Sequence, residues 1–211
     1  MSARASCTLC LRPRIACICR WITPVANEVE VLILQHPLEV RQAKGSARLL
    51  HLSLARSQLL TGEVFDVRGL LADTQGDADF RHNLLLYPDT PQAAAEGRLA
   101  APQLTPEMLR EPARLRLIVL DGTWRKSRKM LYLNPLLQQL PRLSLQPTSA
   151  SNYLIRRAHR PGQLSTLEAT CAALAQLEGG RESLARLLAA FDGFVAQQMG
   201  WRPGESRTKL L

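Results

Sequence analysis

The chain has 211 residues, 46% hydrophobic and 21% charged, a balance that excludes a disordered or fibrous polymer and leaves room for a buried core. Twenty-seven basic against eighteen acidic residues give a formal charge of +9, so a polyanion is the partner that electrostatics suggests first. Because 23 of the basic residues are Arg and 4 are Lys, a GC-rich coding bias is the plain alternative.

The N-terminal segment, MSARASCTLCLRPRIACICRW, is broken by arginines and holds no apolar run of signal-peptide length. No window approaches the eighteen or so apolar residues of a membrane span. A cytoplasmic protein with reduced thiols and no membrane partner is expected. Cys7, Cys10, Cys17 and Cys19 follow a C-x2-C-x6-C-x-C pattern. Four thiolates on so short a segment can close a tetrahedron around structural zinc, leaving no open position for water. Disulfides and an iron–sulfur cluster are the alternatives. Arg12 and Arg14 decorate this knuckle and are candidates for RNA phosphate. Residues 1–27 therefore read as a cysteine-rich zinc-binding segment, and 28–211 as the main domain.

The run EVEVLILQ (28–35) is a strand that becomes fully buried and ends at His36-Pro37. Residues 43–60 carry leucines at helical spacing and are expected to be a helix stopped at Thr61-Gly62. Further strands are predicted at 63–67, 83–88, 115–121 and 142–147, with a Pro- and Ala-rich surface excursion holding a short helix at 89–113. Two amphipathic helices follow, 163–178 and 182–199, with Leu167, Cys171, Leu174 and Leu177 on one stripe and Leu184, Leu187, Leu188, Phe191 and Phe194 on the other. Cys171 reads as core packing. Strands alternating with helices predict an α/β fold with a mostly parallel sheet and helices on both faces.

Three strand-exit loops concentrate unusual chemistry. In LIVLDGTWRKSRKML (117–131), Asp121 ends a buried strand, the edge where open α/β sheets place ligands. Gly122 permits a turn and Thr123 suits a helix cap. That turn and cap leave Arg125, Lys126, Arg128 and Lys129 unexplained, because cations at a helix start oppose the macrodipole. A bound anion would reverse that sign. QHPLEVRQAKGS offers His36, Pro37 and Glu39, although a satisfied structural histidine explains His36 equally well. SASNYLIRRAHRPGQLSTLEA clusters Arg156, Arg157, His159 and Arg160 before a helix whose Ser165 and Glu168 form a capping box.

LDGTW, together with the cysteine pattern, QHPLE and SNYLIRRAHRPGQLSTLEA in that order, resembles the signature of the DTW-domain family over roughly residues 7–168. That resemblance implies a SPOUT-like fold with a C-terminal knot, and transfer of the 3-amino-3-carboxypropyl group of S-adenosylmethionine to N3 of a tRNA uridine. It implies a cofactor site from His36, Pro37, Glu39, Thr123, Trp124, Lys126, Tyr153, Arg156, Arg157, Leu164, Ser165 and Thr166. Asp121 is then the base for the N3 proton, with orientation of the turn as its alternative role. Arg125, Arg128, Lys129 and Arg160 would join Arg12 and Arg14 on the RNA, in a monomer or a homodimer. A methyltransferase of related fold and a non-catalytic zinc-bearing RNA-binding protein are the competing readings.

Overall fold

The computed structural model describes residues 5–72, 81–88, 102–145, 164–179 and 181–200. Five strands, β1 (Glu30–Gln35), β2 (Ser57–Thr61), β3 (His82–Leu86), β4 (Leu115–Asp121) and β5 (Arg142–Leu143), pair in parallel in the order β2-β1-β4-β3-β5. The helices are α1 (Ala47–Ser53), α2 (Val67–Leu71), α3 (Trp124–Leu133), α4 (Pro135–Gln138), α5 (Thr166–Leu177) and α6 (Arg181–Gly200).

Strands β1 and β4 are central and nearly continuous in apolar residues because both faces of the sheet are covered. Val31, Ile33, Leu117 and Val119 pack on one face against α1, α5 and α6. Leu32, Leu34 and Ile118 pack on the other against Val67 of α2, Met130 and Leu131 of α3 and Leu137 of α4. Helices on both faces of a parallel sheet are what the alternating pattern predicts. Both amphipathic stripes of the C-terminal helices are in the core, and Cys171 is fully buried among them, its thiol pushed far up by desolvation.

Two predicted elements come out differently. The helix expected over 43–60 stops at Ser53, and its second half is the edge strand β2. Asn27 accounts for the break: its amide donates to the Arg56 carbonyl at 2.9 Å and its oxygen accepts from the Arg56 amide at 3.1 Å, holding the chain extended as it enters the sheet. Leu59 and Leu60 then face opposite cores, a period of two hidden in a leucine-rich run. The strand expected at 63–67 is a turn leading into α2, because Asp66 accepts from the Gly69 amide at 3.1 Å and caps a helix there. In the predicted excursion, Pro112–Arg114 forms a 3-10 turn.

The cysteine-rich head is fastened to the main sheet domain from two sides. Arg12 donates to the carbonyls of Ala43 and Gly45 and lies over the Phe194 ring. Trp21 packs directly on the α6 backbone at Gly193, where a Cβ would overlap its ring, and donates its indole N–H to Gln197 at 2.6 Å.

Connections leave β1 toward β2 on one side and β4 toward β5 on the other, so the sheet has a switch point between the carboxyl ends of β1 and β4. Gln35 and Asp121 are register partners there.

Candidate active site and metal centre

The turn after β4 is built from the residues that the sequence singles out. The Asp121 carbonyl accepts from the His36 amide at 3.0 Å, which locks the exits of β1 and β4 together. One Asp121 carboxylate oxygen accepts from Gln35 Nε2 at 2.8 Å and the other from Thr166 Oγ1 at 2.6 Å. The residue is 6% exposed. Burial raises its pKa, opposed by the Thr166 and Gln35 hydrogen bonds; nearby Glu39 adds to the rise and Lys126 offsets it.

Beside this turn lies a cavity of about 710 Å³, sized for a nucleoside-bearing ligand. Leu86, Val119 and Leu120 at the strand ends form its floor. Thr123, Trp124 and Arg125 form one wall at the start of α3; Leu164, Ser165 and Thr166 form another at the start of α5. Both helix N-termini therefore abut the cavity and favour an anionic group. They differ in capping. At α5, Ser165 and Glu168 complete the predicted capping box at 3.2 and 2.7 Å. At α3, the Thr123 hydroxyl makes no cap hydrogen bond, so among the described residues no side chain caps the first-turn amides. Trp124 is 53% exposed and meets Tyr87 edge-on at 5.5 Å, with the Arg142 guanidinium on the Tyr87 ring at 5.7 Å.

The cations of α3 divide into two pairs. Lys126 bonds Glu39 at 2.6 Å and Lys129 bonds Glu63 at 2.6 Å, which answers half of their apparent conflict with the macrodipole. Arg125 and Arg128 are exposed, Arg125 at the mouth of the cavity. His36 is buried with both ring nitrogens engaged: Nδ1 accepts from the Leu38 amide at 3.1 Å, and Nε2 lies 2.8 Å from Glu63. Those partners assign the Nε2–H tautomer. His36, Pro37, Glu39 and Lys126 thus stand behind Asp121, outside the residues lining the cavity, with Glu39 on a second cleft of about 580 Å³. Sequence reasoning missed three members of the neighbourhood, Gln35, Glu63 and Tyr87; a polar residue ending an apolar strand was the available signal for Gln35. Tyr153, Arg156, Arg157 and Arg160 lie outside the described residues.

In the head, Cys7 and Cys19 have sulphurs 3.5 Å apart, Cys10 and Cys17 3.7 Å, and all four fall within 4.8 Å of one another. A zinc tetrahedron with Zn–S bonds of about 2.3 Å has sulphur–sulphur edges of about 3.8 Å, so the donor set fits that ion. Backbone amides of Cys10 and Leu9 donate to the Cys7 sulphur and bring its thiol down to about 6. Leu11 closes this knuckle with φ of 59°, a left-handed conformation costly for a residue with a Cβ. Arg14 is exposed on the head, whereas Arg12 is engaged with carbonyls as described above.

The DTW domain family matches residues 4–199. This chain belongs to the DTW-domain family. Three relatives named tRNA-uridine aminocarboxypropyltransferase 2 are similar to this DTW-domain protein. The Drosophila melanogaster protein is 31% identical over 85% of this chain and 69% of its own length. The Macaca fascicularis and Mus musculus proteins are 28% and 29% identical over 92% of this chain, which spans 64% of each. No solved structure matches the chain. Among the described residues, no helix is long and apolar enough to cross a membrane.

Proposed function

We propose that this DTW-domain protein transfers the 3-amino-3-carboxypropyl group from S-adenosylmethionine to N3 of a uridine in tRNA and releases methylthioadenosine. The observation that carries the reading is the cavity at the strand ends, framed by Gly122-Thr123-Trp124 and the start of α5, in a chain whose relatives are named tRNA-uridine aminocarboxypropyltransferase 2.

The donor is a sulfonium, so methylthioadenosine is a good leaving group and positioning is the main task. The uncapped amides at the start of α3, with Thr123, suit the donor's carboxylate. Trp124 and Tyr87 offer aromatic faces to a base or to the sulfonium. Leu164, Ser165 and Thr166 close the opposite wall, while His36, Pro37, Glu39 and Lys126 hold the turn in place from behind. Asp121, buried and raised in pKa, is the acceptor for the N3 proton. Arg125 and Arg128 reach the tRNA backbone, joined by Arg14 from the head.

The same proposal takes the four cysteines as a structural zinc site, residues 1–27 as a zinc-binding segment packed on the domain of 28–211, and the whole as a cytoplasmic SPOUT-like protein with a C-terminal knot. The donor set supports zinc, and the all-parallel sheet agrees with the fold.

Incubating the protein with tRNA and S-adenosylmethionine, then analysing nucleosides and coproduct, tests the function. Methylthioadenosine with an aminocarboxypropyl-uridine is the expected result. S-adenosylhomocysteine would indicate a methyltransferase, and no coproduct a binding protein.

A further inference from the structure

The proton acceptor and the cavity are not in direct contact. Leu120 and Gly122 line the cavity on either side of Asp121, but the carboxyl itself is turned away toward Gln35 and Thr166. No Asp or Glu is among the described residues lining the cavity. Thr166 does line it, and its hydroxyl donates to Asp121 Oδ1 at 2.6 Å. A hydroxyl that donates one proton keeps two acceptor lone pairs, and no described group donates to those of Thr166. The start of α5 is tied to the neighbouring segment where the Leu167 amide donates to Ser46 Oγ at 3.2 Å, and the Thr166 carbonyl accepts from Thr170 Oγ1 at 2.7 Å within the helix.

We infer that Thr166 is the catalytic residue that touches the uracil, relaying the N3 proton from the cavity to Asp121; this rests on the transferase reading above. In the step, the N3–H bond breaks and its proton passes to Thr166 Oγ1, while the Thr166 hydroxyl proton passes to Asp121 Oδ1. The freed N3 lone pair forms a bond to the γ-carbon of the donor's aminocarboxypropyl chain. The bond from that carbon to sulphur breaks, and its electron pair stays on sulphur as the neutral thioether of methylthioadenosine. Positive sulfonium and negative carboxylate are both neutralised, so charge balances. Gln35, bonded to the other Asp121 oxygen, is a positioning residue that keeps Oδ1 aimed at Thr166.

Thr166→Val preserves shape and removes the relay. Its turnover should fall about a hundredfold or more, the scale of acid–base catalysis, with S-adenosylmethionine affinity by calorimetry near that of the parent. Thr166→Ser, which restores a hydroxyl, should recover most of the loss. A tRNA carrying 5-fluorouridine, whose N3 is more acidic, should rescue Thr166→Val more than it accelerates the parent, and so should raised pH. A purely structural role would produce neither rescue. Without activity as readout, carbon NMR of labelled aspartate should show the Asp121 carboxyl titrating higher in Thr166→Val, since a hydrogen bond that lowers its pKa is gone. Unchanged turnover and pH profile in Thr166→Val, with an active parent, would overturn the relay alone. A parent that makes no methylthioadenosine from tRNA overturns the transferase reading and the relay with it.

Discussion

Gln35 and Asp121 face each other across the two central strands, and the Gln35 side-chain amide donates to the Asp121 carboxylate at 2.8 Å. The pair sits at the carboxyl edge of the sheet with almost no solvent around it, so two physical effects oppose each other. Hydrogen bonds hold the carboxylate in place, while desolvation disfavours its charge.

The net result is a pKa above that of a free aspartate. A folded pKa raised above the unfolded value contributes stability that is present below the unfolded pKa and lost as pH rises through the folded one. Asp121→Asn removes that neutral-pH penalty and still accepts one hydrogen bond. It should melt at the same or a higher temperature than the parent at pH 7, with any advantage vanishing in acid, while turnover drops at least about a hundredfold. Thermal melts across pH, paired with the coproduct assay, check both signs. A variant that remains active would contradict the proton-acceptor role, and one strongly destabilised at pH 7 would show that the hydrogen bond lost to the Asn amide outweighs the relieved charge.

His36 is held on both nitrogens inside the protein. His36→Ala should therefore destabilise the fold by about 2 to 3 kcal/mol, because it leaves a cavity and removes the partner of the Leu38 amide, while Glu63 keeps Lys129. Affinity for S-adenosylmethionine should change less than about threefold if the histidine is architectural, equivalent to well under 1 kcal/mol. Urea melts and calorimetry separate the two effects.

Arg125 and Arg128 are exposed, whereas Lys126 and Lys129 bond to Glu39 and Glu63. Arg125→Ala and Arg128→Ala should each reduce the slope of log affinity for tRNA against log salt by roughly 0.7 to 0.9. Lys126→Ala should leave that slope nearly unchanged. Filter binding over a salt series distinguishes a phosphate contact from an internal ion pair.

The four head cysteines should carry about one zinc per chain. Cys17→Ser should lose it, and strong chelation of the parent should loosen the head and lower the melting temperature. Cys171→Ala, remote from the cluster and deep in the core, should keep the metal. Elemental analysis of purified protein is sufficient, and an iron signal with visible absorbance would replace zinc with a cluster.

Glycine to alanine within a helix ordinarily stabilises by up to about 1 kcal/mol. At Gly193 the sign should reverse, because Trp21 occupies the space a Cβ would need. Gly193→Ala is expected to cost about 1 to 3 kcal/mol and to shift Trp21 fluorescence as the head lifts from α6. Denaturant titration followed by tryptophan emission reads both.

Much of this protein is legible along the chain. Continuous apolar runs at 30–35 and 115–121 declare strands buried on both faces, and the Ser165–Glu168 spacing declares a capping box. The cysteine spacing declares a four-sulphur cluster, because each of these signals is local and repeats with the geometry of its element. Leucine-rich residues 57–61 misled because leucine satisfies a helix and a buried strand alike; Asn27, thirty residues away, decides between them. At 63–67, β-favouring residues lost to the cap that Asp66 provides.

The sequence by itself determined the α/β class, the sulphur cluster and the identity of the residues at the turn after β4. Only the tertiary structure decided which of those residues face the cavity. Lys126, His36 and Arg12 found partners from distant segments, and Asp121 turned behind Thr166. The reason is physical: a charged or polar side chain is assigned by whatever lies within about 3 Å of it, and that neighbour comes from another loop brought close only when the parallel sheet closes.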